Sequence, residues 1–67
     1  MNVNELRAMR AKAWESAKNV LDSHRNENGM LSLEDTKTYE EMEAKIVNLG
    51  KEIERQEKMD AMEREMA

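Results

Sequence analysis

Residues 26–35 are Asn26-Glu27-Asn28-Gly29-Met30-Leu31-Ser32-Leu33-Glu34-Asp35, and they carry the clearest turn signal in the chain. Asn28-Gly29 tolerates the positive backbone φ that a tight reversal needs. Ser32 precedes Asp35 by three residues, as a helix N-cap precedes an acidic residue at N3. No proline occurs in the chain, so few other positions can end a helix. The pattern predicts a helix over about residues 3–25, a turn over 26–32 and a helix over about 33–66.

Length and composition restrict the fold class. The chain has 67 residues, enough for one small unit with a limited core. Charged residues make up 39% of it, and the alternation typical of strands is missing. We therefore expect a single all-α unit over residues 1–67. It would be an antiparallel αα-hairpin or coiled coil with a longer second helix, and oligomeric.

Charge and hydropathy also restrict the partners. The net charge is −4, both signs are interspersed and no basic stripe exists, so nucleic acid is not expected as a partner. The absence of cysteine excludes disulfides and thiolate metal sites. No apolar run approaches the ~20 residues of a membrane span, and no secretory signal is recognisable. We expect no membrane partner and a cytoplasmic location.

The first helix carries one apolar stripe, because its apolar residues recur at steps of three and four. Ala13 and Ala17 keep the middle of this stripe narrow, so a facing helix can come close there. Trp14 lies on its edge. Asn2 and Asn4 are both candidates for the N-cap. The residues expected to face the second helix are Leu6, Ala13, Trp14, Ala17 and Val20.

The second helix carries a coiled-coil seam of about two heptads. Its members recur at steps of three and four: Tyr39, Met42, Ile46, Leu49 and Ile53. The next seam positions, Gln56 and Asp60, are polar. Antiparallel pairing sets Ala17 opposite Tyr39, Trp14 opposite Met42 and Val3 opposite Ile53, so small side chains face large ones. The mixed seam does not select two, three or four helices. The chain can pair its helices internally or open and pair with another copy.

The end of the second helix has a different pattern. Residues from about 56 to 67 are expected to lack an intramolecular partner. Met59, Met62 and Met66 form a displaced apolar set there and are candidates for contacts between copies. The rest of the exposed face is expected to hold i,i+4 ion pairs. These pairs are Glu41–Lys45, Glu54–Lys58 and Asp60–Arg64.

Gly50 interrupts the second helix at a cost of roughly 1 kcal/mol relative to Ala. Three interpretations fit. A close helix crossing near Leu6 would require a small residue. Asn48-Leu49-Gly50 could end the helix, with a short third helix after it. Gly50 could also be a tolerated surface residue.

No arrangement of residues predicts catalysis. With Gly29 at the sixth position of a calcium loop, His24 would stand at the first position and Asp35 at the last. Histidine replaces the usual carboxylate there, and Asp35 is too short to act as the bidentate Glu. A plain turn with a helix cap is favoured. His24 has no nucleophile in a recognisable motif beside it. We expect no enzyme activity, no cofactor and no metal.

Four segments together resemble the start of a known protein family. They are Arg10-Ala11-Lys12-Ala13-Trp14-Glu15, Asn28-Gly29-Met30-Leu31-Ser32-Leu33-Glu34-Asp35, Thr38-Tyr39-Glu40-Glu41-Met42-Glu43 and Leu49-Gly50-Lys51-Glu52-Ile53-Glu54-Arg55. In order and spacing they are similar to the N-terminus of Hong Kong 97-type major capsid proteins of tailed phages and prophages. The similarity runs along nearly the whole chain and covers the segment that resembles the delta domain of that family.

The resemblance implies a function. A delta domain acts as a built-in scaffold during procapsid assembly, and in many members a phage protease then removes it. We therefore expect a structural module that self-associates through its helices and belongs to a longer capsid protein. Its partners would be other copies, the capsid shell domain and the maturation protease. It would be found in the host cytoplasm during assembly and in the procapsid or virion. The alternative is a free-standing coiled-coil adaptor or dimerisation protein.

Overall fold

The computed structural model describes residues 1–67 and consists of two helices. Helix α1 spans Val3–His24, and helix α2 spans Leu33–Met66. The two helices pack against each other, and no strand is present. The predicted all-α fold with two packed helices is therefore confirmed. The first helix ends at His24, one residue earlier than the predicted Arg25.

The start of α1 is fixed by side chains that bind the free backbone amides of its first turn. Asn2 is the N-cap, and its Oδ1 accepts a 2.8 Å hydrogen bond from the backbone N–H of Glu5. The Glu5 carboxylate accepts in return from the backbone N–H of Asn2 at 3.5 Å. This reciprocal capping box selects Asn2 over Asn4 as the cap.

The loop between the helices is organised around Asn26. Its Oδ1 accepts hydrogen bonds from the backbone N–H of Asn28 at 2.9 Å and of Met30 at 3.1 Å. Its backbone N–H donates to the carbonyl of Met30 at 2.8 Å, and its carbonyl accepts from the N–H of Gly29 at 2.9 Å. Gly29 has φ +76°, the left-handed conformation expected for the Asn-Gly turn.

Helix α2 begins at the predicted cap. The Ser32 Oγ accepts a 3.0 Å hydrogen bond from the backbone N–H of Asp35. The Asp35 carboxylate lies 3.4 Å from Nδ1 of His24, the last residue of α1. Asp35 therefore joins the two helix ends across the turn.

The core is small and lies along the contact between the helices. Six residues are buried, and none of them is fully enclosed. They are Leu6, Ala13, Ala17, Val20, Leu49 and Ile53. Leu6, Leu49 and Ile53 form one cluster, against which Val3 packs. The large apolar side chains thus meet at the end of the hairpin far from the loop, whereas the alanines lie nearer to it.

Helix α2 overlaps with α1 further than the sequence indicates. Residues 56–67 were expected to have no intramolecular partner, and this expectation is wrong for residues 56–60. Arg7 Nη2 lies 3.2 Å from Oε2 of Glu57, and both Gln56 and Asp60 are half-buried. The long Arg7 side chain extends the contact beyond the apolar seam. Residues 62–67 are all exposed.

The molecule is a rod with principal dimensions of 58 × 15 × 15 Å. Its length follows from α2, whose 34 residues extend about 51 Å at ~1.5 Å per residue. Neither helix carries an apolar segment long enough to cross a membrane.

Candidate functional site

The predicted helix–helix seam is the first candidate site, and most of its residues lie where α1 and α2 meet. On α1, Leu6, Ala13, Ala17 and Val20 are buried. The seam residues of α2 divide by burial: Leu49 and Ile53 are buried, and Tyr39, Met42 and Ile46 are half-buried. The seam residues of α2 are therefore most buried at the end where Leu49 and Ile53 meet Leu6.

Trp14 lies at the edge of the seam, as expected, and not in the buried contact between the helices. Its side chain is 54% exposed, on the flank of the rod. Ala13 and Ala17 occupy the centre of the α1 stripe, and their small side chains leave no room for an indole between the helices. The Lys18 ammonium lies 6.0 Å from the centre of the Trp14 ring, at the limit of a cation–π contact.

Gly50 does not end a helix, because α2 continues through it to Met66. The interpretation that Gly50 makes room for a close helix crossing near Leu6 is also wrong. A Cβ built at Gly50 would meet Arg10, with Nη2 at 3.4 Å and Cζ at 3.5 Å. The helix backbone of α1 is not among the nearest atoms. Gly50 therefore lies beneath the flexible end of the Arg10 side chain.

An open groove runs along the flank on which Trp14 lies. We call it the Trp14 groove, and its lining residues are Arg7, Arg10, Ala11, Trp14, Ile46, Ile53 and Glu57. Its floor is apolar, from Ile46 and Ile53. Its charged residues are divided between the helices, with the two arginines on α1 and the glutamate on α2. The groove is the one place where a large exposed aromatic side chain, apolar residues and opposite charges lie together.

The three predicted i,i+4 ion pairs do not form. The Asp60 carboxylate accepts a 2.9 Å hydrogen bond from Nε2 of Gln56 instead of pairing with Arg64. The ion pairs present within the helices are Lys18–Asp22, at 3.4 Å, and Glu52–Arg55. Both pairs are exposed, and exposed pairs contribute little to stability. Small energy differences therefore decide which charged residues pair.

The methionines of the α2 end form the second candidate surface. Met59 and Met62 are each about half exposed, and Met66 is 88% exposed. Met1 and Met59 line a shallow depression beside Leu6, so the apolar surface continues from the end of α2 to the start of α1. The structure thus places the predicted oligomer contacts on the surface, at the pole where both chain termini lie.

The loop does not present its oxygens as a cation site would. The Asn26 Oδ1 and the Ser32 Oγ accept from backbone N–H groups, and Asp35 faces His24. No cluster of three or more His, Asp or Glu residues could hold a metal ion. The geometry matches a self-contained turn with a helix cap.

Two contributors to the structure lie outside the sequence predictions. Asn26 organises the loop, and its position two residues before Asn28-Gly29 is the signal of an Asx-turn that could have identified it. Arg10 covers Gly50, and no sequence signal indicates this contact because a flexible side chain makes it. No protein-family model, curated protein or solved structure matches the chain.

Proposed function

We propose that this hairpin is an interaction module that associates with other copies of itself through its helix surfaces. The observation that carries the proposal is the small buried core. Only six side chains are buried, while Trp14, Val47, Met59 and Met62 are each about half exposed or more. A hairpin with so small a core leaves apolar side chains exposed, where they are free to contact neighbours.

The exposed area supports the same proposal. The chain exposes 5537 Å². A compact monomer of 7.8 kDa would expose about 4,400 Å², so the hairpin carries an excess of about 1,100 Å². A standard protein–protein interface buries about 800 Å² on each partner. The excess is thus large enough for one such interface.

We propose further that the module is the N-terminal scaffolding segment of a Hong Kong 97-type phage major capsid protein. The four sequence segments described above support this assignment. Its partners would be neighbouring copies, the capsid shell domain and the maturation protease, in the host cytoplasm and the procapsid. In this role the module has no enzyme activity.

The mechanism is repeated weak association. Each helix–helix contact involves few apolar side chains and is individually weak. A shell that holds many copies close together raises their effective concentration, and many such contacts then act jointly. Weak single contacts also allow a misplaced subunit to dissociate and rebind.

The test is removal of residues 1–67 from the full-length capsid protein. We expect the truncated protein to form few closed procapsids in host cells, as counted by electron microscopy. The variant Ile46→Asp/Ile53→Asp should have the same effect, because it places charges in the seam and opens the hairpin. Asn48→Asp adds a charge at an exposed position and should assemble normally.

Two outcomes would count against this function. Closed procapsids in normal number without residues 1–67 would remove the scaffolding role. A reading frame without a shell domain after Ala67 would favour the free-standing adaptor. In that case the self-association would remain, and the capsid assignment would be withdrawn.

A further inference from the structure

We infer that the Trp14 groove is the interface between two copies of this chain, which pack as an antiparallel four-helix bundle with α1 of each copy on α2 of the other. The inference rests on the self-association proposed above and names the surface and the geometry. It starts from Trp14, a large aromatic side chain that is 54% exposed although it lies beside the apolar Ile46 and Ile53. Exposed tryptophans beside apolar grooves are typical anchors of protein interfaces.

The charge pattern along the groove points to a second copy as the occupant. On α1, the stripe through Trp14 is basic and recurs at steps of three and four: Arg7, Arg10, Trp14 and Lys18. On α2, the stripe that includes the groove residue Glu57 is acidic. Its members recur at steps of four and three: Glu43, Val47, Gly50, Glu54 and Glu57. One flank of the molecule therefore has a basic half and an acidic half, separated by apolar residues.

Three of the six charged residues in these stripes have no ion-pair partner within the chain. Arg7 pairs with Glu57 at 3.2 Å, and Lys18 pairs with Asp22 at 3.4 Å. Glu43, Glu54 and Arg10 form no ion pair. A flank with unpaired acids on one helix and basic residues on the other is complementary to itself after a twofold rotation.

The direction of the twofold axis follows from the charges. If the axis lies perpendicular to the helices in the plane of the interface, α1 stacks on α1 and basic residues face each other. If the axis lies parallel to the helices, α1 of one copy stacks on α2 of the other, and basic residues face acidic ones. The second arrangement is favoured, because like charges that face each other in an interface repel.

The parallel axis also fixes which residues meet, since it leaves their height along the rod unchanged. Arg10 of α1 lies over Gly50 of α2. One helical turn closer to the loop, Trp14 therefore lies at about the height of Ile46, and both line the groove. Trp14 therefore meets Ile46 and Val47 of the second copy. Lys18, one turn closer to the loop, meets Glu43 of the second copy. Val47, which is 51% exposed in the single hairpin, becomes covered.

The size of the surface fits this occupant. The excess exposed area of about 1,100 Å² is comparable to the ~800 Å² that each partner buries in a standard interface. The dimer would therefore bring the hairpin close to the exposed area of a compact protein of its mass.

Sedimentation equilibrium of the 67-residue chain, from micromolar to about 1 mM, tests the interface. We expect a monomer–dimer equilibrium, and Trp14→Ala should raise the dissociation constant at least about tenfold. The helix content of this variant should not change, because Trp14 lies outside the buried seam. Met9→Ala removes a 36% exposed side chain that is not part of the Trp14 groove, and it should leave the dissociation constant within about twofold.

A charge exchange tests the geometry. Lys18→Glu should weaken the dimer, because two carboxylates then face each other, and Lys18→Glu/Glu43→Lys should restore it. Added salt should weaken the wild-type dimer. If Lys18→Glu strengthens association instead, α1 stacks on α1 and the inferred geometry is wrong.

The remaining outcomes separate this inference from the proposed function. If the wild-type chain dimerises and Trp14→Ala leaves the dissociation constant unchanged, the Trp14 groove is not the interface. The proposed self-association would then still stand. A chain that stays monomeric up to about 1 mM would overturn the dimer interface. The scaffolding role is then decided independently by the procapsid counts of the protein lacking residues 1–67.

Discussion

Replacing Gly50 with Ala should stabilise the hairpin, although the glycine lies at a contact between the two helices. A glycine inside a helix costs about 0.5–1 kcal/mol relative to alanine, mainly because the unfolded chain is more flexible. The added methyl group would have its nearest neighbours in the Arg10 guanidinium, at 3.4 and 3.5 Å. These are ordinary van der Waals distances to the end of a flexible side chain, so we expect no steric penalty.

The expected gain in the free energy of unfolding is therefore about 0.5–1 kcal/mol. For a domain of this size, that gain raises Tm by about 2–8 °C. The measurement is thermal and urea unfolding followed by circular dichroism. Protein concentration must be low and identical for all variants, because association also raises Tm.

Gly29→Ala is the matched control, and it should lower the free energy of unfolding instead of raising it. Gly29 has φ +76° and open space around the position of a Cβ, so only backbone strain acts there. We expect a loss of about 1 kcal/mol. A fall in Tm for Gly50→Ala would refute the reasoning, since it would mean that Arg10 cannot move aside. Arg10→Ala in the same background would then restore stability.

Three further substitutions test the fold. Leu6→Ala should cost about 2–3 kcal/mol, because it removes one of the three members of the apolar cluster, and far-UV circular dichroism should show a largely unfolded chain. Asn26→Ala should lower the free energy of unfolding by about 1–2 kcal/mol, since two backbone N–H groups lose their acceptor. Urea unfolding measures this loss, and Asn28→Ala, which leaves that acceptor in place, is the control. Asn2→Ala should cost about 1 kcal/mol by removing the N-cap of α1, and amide hydrogen exchange should increase in its first turn.

The sequence predicts those features that depend on local chemistry or on periodicity. The Asn28-Gly29 turn and the Ser32 cap were recognisable because each is set by residues close together in the chain. The seam of α2 was recognisable because its apolar spacing matches a helix. Burial of Leu49 and Ile53 follows from that spacing.

The features that the sequence did not reveal depend on the distance between the helices. The small side chains of Ala13 and Ala17 bring α2 close, and Trp14 is then excluded from the seam. The position of Arg10 over Gly50 depends on the conformation of a long side chain, which periodicity does not specify. Asp35 approaches His24 only because the hairpin has closed. The same dependence on three-dimensional proximity applies to the Trp14 groove, which neither helix forms alone.

The antiparallel arrangement gives the rod two chemically different poles. Both termini leave from one pole, where the methionine side chains cluster, and the polar loop around Asn26 forms the other. A fluorescent label in the loop and one at the end of α2 would therefore be separated by much of the 58 Å length. Any cargo fused to either end would be held at the same pole. The opposite tip would then stay free to act as a spacer or to reach toward a distant surface.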